Sequence, residues 1–265
     1  MSSGRHRDSD AAYRALVLAG GLGTRLRPVT DHTPKCLVPI GGRPLIDYWF
    51  DLLADAGIRD VLLNTHHLAD LVRLHIARLN ETTGFRIRET FEPELLGSAG
   101  TIHANRDWAD EADHCVIIYA DNLSNVDLTG LVDFHESHED PFTMLLFRTP
   151  DPPSCGIATI DDTGRVTSFV EKPKTPESDL ANAGVYVVSA AAYREIADMD
   201  AFDLGFDVLP RFVGRMRGWV HDGYHLDIGT QAALQRAGHD VTAVFGPGTS
   251  PDGPSPECGE KGSRR

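Results

Sequence analysis

The sequence predicts an α/β fold, with a mixed, mainly parallel sheet flanked by helices. Three observations lead to it. Short apolar runs without polar alternation recur along the first half of the chain, as strands buried on both faces require. Between them lie segments whose apolar residues fall three and four positions apart, the spacing of a helix with one buried side. Glycines or polar turns end the runs, so strand and helix follow one another in regular succession.

Tyr13–Ala19 (YRALVLA) is the first buried strand and runs into glycines. Pro44–Ala56 has Leu45, Ile46, Trp49, Leu52 and Leu53 at helical spacing, with Gly57 as its stop. Val61–Asn64 is strand-like, Leu68–Leu79 helical, Phe85–Glu89 strand-like and Ala99–Asp107 helical. His114–Tyr119 is another buried strand, ending at Ala120-Asp121-Asn122. The second half is less regular. Thr143–Arg148, Gly156–Ile160, Val166–Val170 and Ala183–Val188 read as strands, with Asp161-Asp162-Thr163-Gly164 as a hairpin turn. Helices are expected at Ala190–Ala197, Phe206–Val213 and Thr230–Ala237. One domain over residues 13–245 is expected, with a nucleotide-binding half (13–125) and a substrate half (126–245). The polar residues 1–12 and the Gly-, Pro- and Ser-rich residues 246–265 are expected to be disordered tails.

Composition narrows the partners. The net charge of −14 argues against nucleic acid or an anionic membrane surface as a general partner, so a phosphate ligand must be held by a few local cations. No apolar run is long enough to span a bilayer, and residues 1–10 lack the apolar core of a signal peptide. Cys36, Cys115, Cys155 and Cys258 have no metal-ligand spacing and read as reduced thiols of a cytoplasmic protein. A homodimer is one assembly the sequence allows.

Ligands of open α/β sheets bind beyond the carboxyl ends of the strands, which directs attention to Gly20-Gly21-Leu22-Gly23-Thr24-Arg25. Its glycines let backbone N–H groups approach a phosphate, and Arg25 adds a fork of donors. It is not a P-loop, which needs Gly-Lys-Ser/Thr. A dinucleotide fingerprint started at Gly21 fails at Leu26, and no helix opens directly from the loop. Read alone, the loop decides little.

Its continuation is more specific. Thr24-Arg25-Leu26-Arg27-Pro28-Val29-Thr30 and Pro34-Lys35-Cys36-Leu37-Val38-Pro39 follow it. Over this stretch the chain resembles the sugar-1-phosphate nucleotidyltransferases, whose fingerprint is close to LAGGxGTRLxPxT followed by PKxLxP. The resemblance extends from about Arg14 to Phe245. It implies a Rossmann-like sheet of the nucleotide-diphospho-sugar transferase type, here without a β-helix domain. It also implies displacement of pyrophosphate from an NTP by a sugar 1-phosphate, with Mg²⁺ as cofactor.

The resemblance assigns Arg25, Lys35 and Lys172 to the reaction. Leu18, Ala19, Gly20, Gly21, Gly23 and Thr24 fall to the nucleotide, with Gly97 and Ser98 of Leu95-Leu96-Gly97-Ser98-Ala99-Gly100 beside the base. Ala120-Asp121-Asn122 is similar to the family's Gly-Asp-Asn, with alanine for glycine, and Asp227 lies in a segment similar to YxDIGT. The two aspartates become the metal ligands. Glu171-Lys172-Pro173 resembles EKP and Asn182-Ala183-Gly184-Val185-Tyr186 resembles NAGxY, so Glu171, Lys172, Asn182 and Gly184, with Gly156, fall to the sugar phosphate. GTP is the favoured nucleotide, with dTTP, UTP or CTP as alternatives, and the acceptor is a sugar or a cyclitol 1-phosphate. A glycosyltransferase of related fold and a non-catalytic nucleotide sensor are the competing readings. His66-His67 is expected to have a packing or loop role, and the acidic run Glu136–Asp140 to be a solvated helix end.

Overall fold

The computed structural model describes residues 12–246, so the expected tails fall outside the described residues apart from Ala12 and Gly246, as does Cys258. β1 (Tyr13–Leu18) starts the chain's central strand. A long loop of single 3₁₀ turns follows and holds a small ribbon of β2 (Pro39–Ile40) and β3 (Arg43–Pro44). α1 (Leu45–Asp55) buries Leu45, Ile46, Trp49, Phe50 and Leu53, and Gly57 at φ 73° turns the chain out of it. β4 (Asp60–Thr65), α2 (Ala69–Thr82), β5 (Arg86–Phe91), α3 (Gly97–Ala104) and β6 (His114–Tyr119) complete the parallel half. β1 pairs in parallel with both β4 and β6, and β4 with β5.

The second half adds antiparallel strands to the β6 edge. β7 (Asn122–Ser124) and α4 (Leu128–Glu136) lead to β8 (Phe142–Arg148). β9 (Gly156–Ile160) and β10 (Val166–Glu171) form the hairpin expected around Asp161–Gly164. β11 (Leu180–Ser189) runs antiparallel to β6 and β8, with a register shift between Asn182 and Tyr186. After α5 (Ala190–Ala197), a π turn (Leu204–Val208) and the short α6 (Leu209–Phe212), β12 (Met216–His221) joins β8 in parallel. β13 (His225–Asp227) pairs with β7, and α7 (Gln231–Phe245) follows. Among the described residues the main sheet has nine strands.

Alternation along the strands divides the core into two layers. Ala15 and Val17 of β1 face one apolar cluster with α1, α2 and α4, while Leu16 faces the other with α3, α5 and α6. A third cluster joins Leu26, Val38 and Ile40 of the first loop to Leu123, Ile228 and Val241. It locks that loop, β7 and α7 together at the carboxyl end of the sheet.

Several expectations are corrected. α7 runs to Phe245 rather than ending at Ala237, because Val241 is buried beside Gly41 and Phe245 packs on Tyr48. The acidic run is not wholly solvated: Asp140 accepts from Arg165 Nη1 at 2.9 Å and Arg217 Nε at 2.6 Å, with its side chain only 12% exposed. β2, β3, β7, β12 and β13 are elements beyond the expected set, and α4 is the helix that ends at the acidic run. Cys36, Cys115 and Cys155 are unpaired. No helix among the described residues is long and apolar enough to cross a membrane.

Candidate active site

Register assembles the site. Leu18 at the end of β1 lies opposite Asn64 of β4 on one side and Tyr119 of β6 on the other. The loops leaving β1 and β6 therefore start from one row, with Asn64 beside them. Asn64 is buried, and its Oδ1 accepts from the N–H groups of Ala19 at 2.6 Å and Gly20 at 3.1 Å. Its Nδ2 donates to Glu92 Oε1 at 2.9 Å, and Thr101 Oγ1 donates to the same oxygen. Glu92 is only 2% exposed. This buried relay fixes the amide so that it anchors the start of the glycine loop. It also engages two of the loop N–H groups, which leaves the approach to a phosphate to Gly21 and the residues after it.

A cavity of about 300 Å³ opens above this row. Of the residues assigned from sequence, Leu18, Ala19, Gly20, Gly21, Lys35, Gly97, Ser98 and Asp121 line it. Gly23 does not; its φ of 61° begins the turn Thr24–Leu26, and Thr30 Oγ1 donates to its carbonyl at 2.8 Å. Arg25 is exposed and lines neither this cavity nor the one on the other side of Asp121; it lies 3.8 Å from Asp227 Oδ2. Gly97 has φ 76°, and a Cβ there would fall 2.3 Å from the carbonyl oxygen of Phe202. Ser98 Oγ donates to Asp203 at 3.3 Å and accepts from Leu204 N–H at 2.8 Å.

The two aspartates meet because β7 and β13 pair, with Asp227 opposite Asn122. Ile228 N–H donates to the Asp121 carbonyl at 3.1 Å and closes the junction. Lys35 Nζ stands between them, 2.8 Å from Asp121 Oδ2 and 3.1 Å from Asp227 Oδ1, on a side chain only 8% exposed. Pro34 and the 3₁₀ turn Lys35–Leu37 aim that side chain inward.

A second cavity of about 260 Å³ lies on the other side of Asp121 and shares Tyr119, Asp121 and Asp203 with the first. Gly156, Glu171, Asn182, Gly184 and Asp227 line it. A Cβ at Gly156 would fall 2.3 Å from Glu171 Oε2, so that glycine makes room for the carboxylate. Burial holds the Glu171 carboxyl above the usual carboxylate range, with Lys172 opposing the shift and Asp203 adding to it. Asn182 donates to Tyr186 Oη at 2.7 Å and accepts from Gly184 N–H at 3.0 Å. Lys172 is not in the cavity wall; its φ of 50° is rare for a side-chain-bearing residue, and its ammonium lies 5.9 Å from the Phe206 ring centre. Burial also raises the Tyr119 phenol well above its ordinary value, so it stays protonated between the cavities.

Sequence reasoning missed Asn64, Glu92, Thr101, Tyr119, Phe202 and Asp203. An asparagine directly after the apolar run Val61-Leu62-Leu63, at the carboxyl end of a strand, was the available signal for the first. His66 and His67 reach separate backbone carbonyls, of Glu92 and Thr30, each at 2.8 Å. They share no ligand position, in line with a loop role.

With this geometry in hand, the family model described as nucleotidyl transferase matches residues 14–244. The chain belongs to the nucleotidyl transferase family. It is 32% identical over 237 residues to the mannose-1-phosphate guanylyltransferase of Mycobacterium tuberculosis, covering 88% of this chain and 66% of that protein. It is 35% identical over 186 residues to the glucose-1-phosphate thymidylyltransferase of Streptomyces griseus, covering 69% and 51%. The chain thus spans two thirds or less of the length of these curated relatives. The solved structure of HddC from Yersinia pseudotuberculosis complexed with GMP-PN superposes on this chain with a TM-score of 0.70 at 27% identity, covering 86% of this chain and 99% of that one.

Proposed function

We propose that this protein makes a nucleoside diphosphate sugar and pyrophosphate from an NTP and a sugar or cyclitol 1-phosphate. The observation that carries the reading is the pair of cavities meeting at Asp121, with Asp227 and Lys35 at the junction. One cavity is lined by the glycine loop and apolar side chains, as a nucleoside triphosphate requires. The other presents Glu171, Asn182 and backbone of Gly156 and Gly184 to a polyhydroxylated acceptor. The names of the relatives support GTP as the nucleotide, with the thymidylyltransferase likeness keeping dTTP as the alternative.

Two carboxylates brought together by β7 and β13 form a hard oxygen donor set, and they already hold a cation, the Lys35 ammonium, between them. That donor set fits Mg²⁺, which keeps waters and phosphate oxygens as its remaining ligands. When bound, the ion would supply positive charge to the reacting phosphate oxygens. The chain's own residues do the rest. Gly21 and the N–H groups after it receive the triphosphate, and Arg25 and Lys35 neutralise the β- and γ-phosphates as they leave. Lys172 and Glu171 orient the sugar phosphate so that its oxygen attacks the α-phosphorus as the bond to pyrophosphate breaks. The attacking group is already an anion, so no side chain has to remove a proton.

The test is pyrophosphate release across a panel of NTPs and sugar 1-phosphates with Mg²⁺. Release is expected only when both substrates are present, greatest with GTP, and lost in Asp121→Asn with the unfolding midpoint retained. Release of a nucleoside diphosphate from a nucleotide sugar instead would assign the protein to glycosyl transfer, and full activity of Asp121→Asn would remove that residue from the reaction.

A further inference from the structure

The position of Lys35 has a consequence for the order in which ligands enter. Its ammonium lies at hydrogen-bond distance from both carboxylates, 2.8 Å from Asp121 Oδ2 and 3.1 Å from Asp227 Oδ1. A divalent ion bound by those two oxygens would have to occupy nearly the same place, and two cations cannot share it. The Lys35 side chain is buried, whereas those of Asp121 and Asp227 are 39% and 51% exposed, so the ammonium is held from below while the carboxylates stay open to solvent. Lys35 also lines the cavity on the glycine-loop side. The ammonium thus has two sets of anions within reach of one fixed stem: the carboxylates, and phosphate oxygens when a nucleotide fills that cavity.

We propose that Lys35 is a built-in counter-cation that closes the carboxylate pair to metal in the free protein, and that the triphosphate opens the pair by drawing the ammonium away. Metal and nucleotide then bind cooperatively, and the free protein holds divalent ions weakly. Asp227 is further restrained in the closed arrangement: its Oδ1 also accepts from Gly229 N–H at 2.7 Å, and Arg25 stands 3.8 Å from its Oδ2. Arg25 is 68% exposed and can follow the phosphates outward, whereas Lys35 is the cation buried against both carboxylates. The inference rests on the reading of Asp121 and Asp227 as the metal pair.

The test is direct binding of Mn²⁺ alone to the full chain, followed by electron paramagnetic resonance of the free ion. Lys35→Met is expected to bind Mn²⁺ at least about tenfold more tightly than the unsubstituted protein, a factor within the usual range for coupled sites. Lys35→Arg, which keeps a cation, should bind as weakly as the unsubstituted protein. Mn²⁺ should also raise the unfolding midpoint of Lys35→Met and leave that of the unsubstituted protein unchanged. Adding Asp121→Asn to Lys35→Met should remove the gain; a gain that persists places the ion elsewhere and overturns the proposal. Equal affinity in Lys35→Met and the unsubstituted protein overturns it too. Should Lys35→Met not fold, tight binding of one Mn²⁺ by the unsubstituted protein without nucleotide is sufficient to refute it. Failure of the metal reading itself shows separately, as divalent-dependent turnover that survives Asp121→Asn.

Discussion

Replacing Gly21 by alanine separates what the fold asks of the glycine loop from what a ligand asks of it. Gly20 and Gly23 have structural reasons to be glycine. A Cβ on Gly20 would meet Asn64 Nδ2 at 2.9 Å, and Gly23 has φ 61° with Thr30 Cγ2 2.8 Å from an added Cβ. Around Gly21 there is no atom within 4 Å of an added Cβ, and its backbone lies outside the left-handed region. Gly21→Ala should therefore change stability by less than about 0.5 kcal/mol. Gly23→Ala should lose about 2–4 kcal/mol, from roughly 1–2 kcal/mol of left-handed strain and a comparable cost of overpacking against Thr30. Function should separate the pair in the opposite sense. If a phosphate approaches the backbone at Gly21, the new methyl intrudes there at about 1–3 kcal/mol, which is roughly a 5- to 150-fold loss in kcat/KM for the NTP. Urea unfolding gives the first quantity and initial rates of pyrophosphate release the second. Unchanged nucleotide kinetics in Gly21→Ala, or a stability loss equal to that of Gly23→Ala, would refute the reasoning.

Three further substitutions probe the supports of the site. Asn64→Leu leaves the N–H groups of Ala19 and Gly20 without their acceptor and removes a donor from Glu92; it should cost about 2–5 kcal/mol in urea unfolding, and the KM for the NTP should rise because the loop loses its anchor. Gly97→Ala drives a Cβ to 2.3 Å from the Phe202 carbonyl, which accepts from Ala99 N–H at 3.0 Å; a loss of about 3 kcal/mol or more is expected, and a midpoint within a degree of the parent would contradict it. Glu171→Gln tests a pH dependence. Burial raises the carboxyl in the folded state, so its contribution to stability is fully present below the unfolded value and is lost as pH rises through the folded one. Relative to the parent, Glu171→Gln should thus gain stability as pH rises through that interval while its KM for the sugar phosphate increases; parallel stability profiles would disprove the assignment of the shift.

The parallel half of the fold was legible because its physics is local. Strands buried on both faces must be continuous apolar runs, and each helix between them must show one apolar side, so β1, β4, β5 and β6 announce themselves in sequence order. Residues in the second half answer to partners that sequence does not reveal. β12 is a strand because β8 offers it a parallel edge. α4 does carry a readable signal, since the Asp127 side chain accepts from Gly130 N–H at 2.9 Å and Leu128, Leu131 and Val132 fall at helical spacing, but the helix is only nine residues long. Asp140 looked like one more solvated acid because Arg165 and Arg217 are distant in sequence.

The site follows the same division. The glycine loop and the Pro34-Lys35 turn are contiguous motifs and could be found, whereas the contact that joins them to the carboxylates depends on two three-residue strands. β7 and β13 are too short to be recognised singly, and neither would hold its extended form without the other. Their pairing is nevertheless what sets the distance between Asp121 and Asp227, and a third apolar cluster beneath it fixes the pair against the first loop. Leu123 and Ile228 of that cluster each neighbour a residue of the junction, so their packing transmits directly to the carboxylates. A loss of volume at either position should hence loosen the junction before it unfolds the sheet, because the two larger clusters that carry the sheet share neither residue.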